Sequence, residues 1–150
     1  MELQRKGEDE VACALRLLGR LLLDYSRAFD LVIADGLYLG APFVRFCLRH
    51  GKDVLIVLKD DRRELLQNAQ GLFRLQPPRV EAEGSLVRSI WDVEDLTSWT
   101  AVDRPIRVVR SQETRTVVRQ RTKIPETMSS DWIWATTLSP QKASTRRVID

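Results

Sequence analysis

Histidine and cysteine are scarce: the 150-residue chain has one of the first and two of the second. With no CxxC spacing and a single histidine, the usual tetrahedral ligand sets cannot be assembled, so structural zinc is excluded. Cys13 and Cys47 lie in apolar helical patterns and are expected as reduced core residues. Long hydrophobic runs are also missing. Stretches such as Leu21 to Leu23 and Val54 to Leu58 fall far short of the roughly 20 residues that span a bilayer. The acidic opening Glu8, Asp9, Glu10 does not fit a signal peptide. No membrane partner and a cytoplasmic location are expected. Seven glycines and six prolines leave no room for fibrous or low-complexity readings.

An excess of one charge is lacking as well. Lysine and arginine number 24 against 21 acidic residues, a net +3 that does not by itself imply a polyanion partner. The distribution says more. Arg104, Arg107, Arg110, Arg115, Arg119, Arg121 and Lys123 fall in one stretch that contains a single acid, Glu113, a candidate electrostatic footprint. With 43% hydrophobic and 30% charged residues, the composition is that of a globular chain long enough to bury a core without disulfides.

Periodicity places the elements. Val11, Ala14, Leu15, Leu18 and Leu22 recur at three and four positions, a one-sided stripe between Glu8 and Asp24 that the acidic triplet introduces favourably. The all-apolar Leu31 to Ala34 and Val54 to Leu58 read as strands buried on both faces. Between them a helix is expected from about Ala41 to His50, with Pro42 in its first turn and Gly51 as its stop. Lone His50 at its end is a dipole partner and not a ligand. Strand, helix, strand is a βαβ unit, so the two strands should pair in parallel. A third helix, capped by Asp61, is expected through Gly71.

After Gln76-Pro77-Pro78 the pattern turns to β. Leu86 to Val93, Ile106 to Arg110, Thr116 to Arg119 and Trp132 to Thr136 are short runs rich in Val, Ile, Thr and Trp that predict an antiparallel sheet. Residues 143–150 read as the opening of a helix. The expected fold class is therefore α/β: a parallel βαβ core over 1–75, a β-rich segment over 76–142 and a helix start over 143–150.

Asp35 directly follows a buried parallel strand, and so lies at the carboxyl edge of the sheet, where open α/β folds bind ligands. A carboxylate there can hold Mg²⁺ against phosphate oxygens, although Asp35-Gly36 is equally a good turn. Arg107 and Arg119 fall on exposed phases of predicted strands, where they can meet phosphate or simply face solvent. Trp132 and Trp134 share one face of their strand and are expected to be structural.

Val32-Ile-Ala-Asp35-Gly-Leu-Tyr38, the helix through Arg49-His50-Gly51, the strand Val54 to Leu58 leading into Lys59-Asp-Asp-Arg62-Arg63, and Glu64-Leu-Leu-Gln-Asn-Ala69 together resemble the DDE transposases of the insertion-sequence four family. Lys6-Gly-Glu-Asp9 with Leu15-Arg-Leu-Leu18 is similar to the helix before that region. Trp132-Ile-Trp134-Ala-Thr-Thr-Leu138 is similar to the strand that leads to the family's glutamate helix. The resemblance covers nearly the whole chain.

It implies a ribonuclease-H-like core with a β-rich insertion, Asp35 as the second catalytic, metal-binding aspartate, and Lys59 and Arg62 beside DNA. It also implies Mg²⁺ or Mn²⁺ as cofactor and transposon-end DNA as partner. Tyr38 matches a family tyrosine and should pack beside Asp35. The family's first aspartate has no counterpart here, and the helix that bears its glutamate is represented only by Arg146-Arg147-Val148-Ile149. The expectation is thus a truncated transposase catalytic domain, inactive alone. Two alternatives stay open. One is a regulatory module that binds DNA or full-length transposase and inhibits transposition. The other is a small phosphohydrolase built on Asp35 with Asp60 or Asp61.

Overall fold

A computed structural model describes residues 6–59, 64–120 and 123–150. Helix α1 spans Glu10–Asp24, and its start follows from its cap: the Asp9 carboxylate accepts from the backbone N–H of Ala12 at 2.7 Å. Strand β1 (Leu31–Ala34) runs into a 3₁₀ turn, Gly36–Tyr38, and then helix α2, Ala41–Arg49. Gly51 ends α2 as expected, adopting a φ of +70° that an L side chain would resist. Strand β2 is Asp53–Val57, helix α3 Glu64–Leu75, and four further strands follow: β3 Arg79–Glu83, β4 Leu86–Leu96, β5 Ile106–Val118 and β6 Pro125–Thr136. Helix α4, Thr145–Ile149, is capped by the Ser144 side chain.

The strands form one mixed six-stranded sheet in the order β1-β2-β6-β5-β4-β3. β1 and β2 pair in parallel, with Val32 opposite Val54 and Ala34 opposite Ile56. All other pairs are antiparallel, including β2 with β6, where Ile56 faces Ala135. The β-rich segment therefore does not stand apart from the βαβ unit but continues its sheet.

The main core lies on the face covered by the first three helices. There Phe43, Val44 and Cys47 of α2, with Leu65, Leu66 and Ala69 of α3, pack on Val54, Ile56, Val108 and Ala135. Full burial of a side chain such as Phe43 or Ile56 stabilises by about 1.5–3 kcal/mol. On the opposite face Ala143 and the short α4, through Val148, pack on Leu55 and Val109, with Leu138 beside them. Cys47 is the inert core thiol expected of it; burial pushes its pKa up to about 11. Cys13 is also free.

Two local expectations need correction, and one strand was not foreseen. β1 is not buried on both faces: the strand lies at the sheet edge, and although Leu31 packs against the cluster that includes Val148 of α4, Ile33 on the same face is 71% exposed. The runs at Ile106 and Thr116 are not separate strands. They are one, because the polar Ser111 to Thr114 stretch pairs on both sides, with β4 and β6. β3 had no apolar signal, since Arg79-Val-Glu-Ala-Glu83 is an edge strand with mostly exposed side chains. Asp61, the expected cap of α3, lies outside the described residues. Among those residues no helix is long and apolar enough to cross a membrane.

Candidate functional site

The carboxyl ends of β1 and β2 lie side by side because the strands are parallel and in register. Asp35 emerges from β1 there, exposed, and caps the 3₁₀ turn: one carboxylate oxygen accepts from the Leu37 N–H at 2.9 Å. The turn role read from Asp-Gly is thus realised, in the position where a ligand-binding carboxylate would also stand. Gly36 is required by contact and not by dihedral angle. A Cβ on it would approach the Val57 carbonyl oxygen to 3.0 Å and the Lys59 Cβ to 3.6 Å. That close approach brings the Lys59 stem against the Asp35-Gly36 turn. The Lys59 ammonium lies 6.0 Å from the centre of the Trp132 ring, and Trp132 stacks on Trp134 with ring centres 6.4 Å apart. The two tryptophans share a face, as expected, although Trp132 remains 45% exposed.

Tyr38, at the end of the same turn, ties the site to α1. Its hydroxyl donates to the Glu10 carboxylate at 2.6 Å, and its ring packs on Phe43 with centres 5.2 Å apart. The hydrogen bond to Glu10, then desolvation and the negative charges of Glu10 and Asp35, push the phenol up to about 12. This is a neutral positioning group over the ordinary pH range. Glu10 was not foreseen as part of the site. Its side chain lies 28 positions from Tyr38 in the chain, and no spacing rule links them.

The other expected residues are elsewhere. Arg107 does not occupy an exposed phase: it is 3% exposed, on the face that α4 covers. Its guanidinium donates to Asp92 at 2.8 Å through Nε and to the Ala143 carbonyl at 2.7 Å, with Thr145 also in reach. Burial works to raise the Asp92 carboxyl, but the hydrogen bonds from Arg107 and Thr145 and the guanidinium charge outweigh it and hold the group below the usual carboxylate range. Arg107 is thus committed to fastening α4 to the sheet. Arg119 lies just past β5 and is exposed, with Glu126 of β6 as its ion-pair partner. There β5 and β6 project as a ribbon exposed on most of its length. Arg62 lies outside the described residues, as do Asp60 and Asp61.

Of the proposed ligands and DNA contacts, the structure brings Asp35 and Lys59 together and leaves Arg107 and Arg119 in separate parts of the sheet. Among the described residues no group of three or more His, Cys, Asp or Glu side chains is gathered to hold a metal ion. A two-ion phosphoryl-transfer centre needs several converging carboxylates, so the described donors around Asp35 do not fit that centre. His50, with Nδ1 2.8 Å from the Phe46 carbonyl oxygen, must donate there, because a carbonyl only accepts. It is satisfied within α2, in keeping with its expected structural role. No protein-family model matches this chain, and no curated protein matches it.

Proposed function

We propose that this chain forms part of the catalytic domain of a DDE transposase resembling the insertion-sequence four family. It would have a ribonuclease-H-like core, act in DNA transposition and take transposon-end DNA as partner. The observation that supports the reading best is the parallel β1–β2 pair carrying Asp35, Tyr38 and Lys59 at one sheet edge, joined by α2. Open α/β sheets bind ligands at that edge. In the order β1-β2-β6-β5-β4-β3, β1 has a partner on one side only among the described residues, and a ribonuclease-H-like core carries its first strands on the other.

One aspartate cannot set two ions about 3.5–4 Å apart, so the proposal includes no independent strand cleavage by this chain. Any Mg²⁺ or Mn²⁺ held by Asp35 would keep most of its water shell and exchange readily. The DNA flanking the coding sequence is the most direct test. An in-frame upstream strand bearing an aspartate and a downstream helix with an Arg-Trp-Glu pattern are expected; the absence of both would sink the transposase reading.

A second reading, a regulatory module that binds DNA or full-length transposase, is favoured by the β5–β6 ribbon with Arg119 and Lys123 near its exposed end. A two-stranded ribbon fits the DNA major groove. Duplex affinity that falls steeply between 50 and 200 mM salt, and falls uniformly across sequences in Arg119→Glu, would support it; salt-independent binding would count against it.

A further inference from the structure

A cleft of about 620 Å³ opens between α1, α2 and the segment before β5, away from the Asp35 edge. Its floor is apolar, made by Leu15, Pro42, Phe46 and Leu48. Its rim carries three guanidinium groups, Arg45, Arg49 and Arg104, all exposed. Asp103 is the one carboxylate among the lining residues. Arg45 makes only a long bond to the Ala41 carbonyl, 3.4 Å, and neither Arg49 nor Arg104 has an ion pair among the described residues. Helix α2 contains no acid at all, and Arg45 and Arg49 stand four residues apart on one side of it, an arrangement that repels. The cleft therefore gathers positive charge without using it internally, beside an apolar floor. A concave apolar floor with a few convergent polar groups, in the range of 300–1,000 Å³, is the form of a small-molecule site. We infer that this cleft binds an organic anion with an apolar body, an aryl or alkyl phosphate or carboxylate, its tail on Phe46 and Leu48 and its charge between Arg49 and Arg104.

The proposal does not depend on the transposase reading. Its test is a titration of the full chain into 1-naphthyl phosphate, followed by the anisotropy of the naphthyl fluorescence. A dissociation constant on the order of 0.1–1 mM is expected for a ligand of this size. Arg49→Glu and Arg104→Glu should each weaken binding about tenfold, Arg49→Lys should retain most of it, and Arg119→Glu, distant in the ribbon, should leave it unchanged. Both reversed positions are exposed, and unaltered far-UV circular dichroism would show that the fold holds. Inorganic phosphate and 2-naphthylethanol, which each offer half of the recognition, should bind at least tenfold more weakly. Equal binding of the neutral alcohol would show mere greasiness, and equal binding of phosphate an adventitious anion only. An equal loss in Arg119→Glu would show a general field. Displacement by a duplex oligonucleotide at lower concentration would assign the arginines to nucleic acid. Each of these results overturns the proposal.

Discussion

Arg107 shows how far alternation along a strand carries. Period-two patterning correctly puts it opposite Ile106 and Val108, on the other face of the sheet, but which face is solvated depends on α4, folded back from the end of the chain. Removing one partner of a buried pair leaves the other charge uncompensated, so Arg107→Met should cost about 3 kcal/mol in urea unfolding. Asp92→Leu combined with it should recover a large part. Because the folded-state pKa of Asp92 is depressed, its contribution is present above the unfolded value near 4 and lost as pH falls through the lower folded value. The stability gap between wild type and the double variant should therefore shrink below pH ~4. Tyr38 has the opposite sign. Its folded pKa is raised to about 12, so its contribution is complete below ~10 and lost as pH rises through 12. Melting from pH 9 to 12 should show a steeper decline for wild type than for Tyr38→Phe; parallel curves would show that the Glu10 hydrogen bond does not form. Gly36→Ala should destabilise by about 1–3 kcal/mol, since the added carbon meets backbone and not a movable side chain.

Strand β1 combines an exposed apolar residue, Ile33, with a backbone edge that no strand among the described residues pairs, and its neighbours on that face include the partly exposed Trp134 and Trp132. Such an edge is a template for strand addition. The chain alone should self-associate at high concentration, and Ile33→Lys should shift it toward monomer in light scattering without lowering its melting temperature by more than a few degrees. A wild-type chain that stays monomeric at high concentration would contradict this. The ribbon of β5 and β6 explains another misreading. Much of it is polar, Ser111 to Arg115 in β5 and Thr127, Ser129, Ser130 and Asp131 in β6, so the sequence pattern breaks β5 in two and starts β6 only at Trp132. Backbone pairing and not burial holds it, and pairing leaves no trace in composition.

For the molecule as a whole, the decisive feature is β6 pairing on β2, which merges the βαβ unit and the antiparallel strands into a single sheet. Buried polar contacts reinforce that seam. Thr136 donates to the Val54 carbonyl at 2.6 Å, and Asp53 accepts from Thr137 and Lys142, each at 2.8 Å. On the proposed function, purified protein with Mn²⁺ and supercoiled DNA should give no nicking, in wild type or Asp35→Asn. Nicking by wild type that disappears in the variant would overturn the inactive reading and favour a phosphohydrolase; nicking by both would indicate contamination.

Local chemistry was enough to place α1, α2, β1 and β2, the Gly51 stop and the parallel pairing of the two apolar strands, because each rests on spacing over a few residues. The position of Asp35 at the carboxyl edge follows from the same pattern. The neighbours of its turn do not: Lys59 is 24 positions from Asp35 and Glu10 28 from Tyr38, and their placement depends on how α1 and β2 dock. The burial of Arg107, the exposure of Ile33 and the basic cleft made by α2 with Arg104 were settled by docking as well. Helical and strand periodicity specify which side of an element is apolar, whereas the partner that covers that side is chosen by the global packing of the chain.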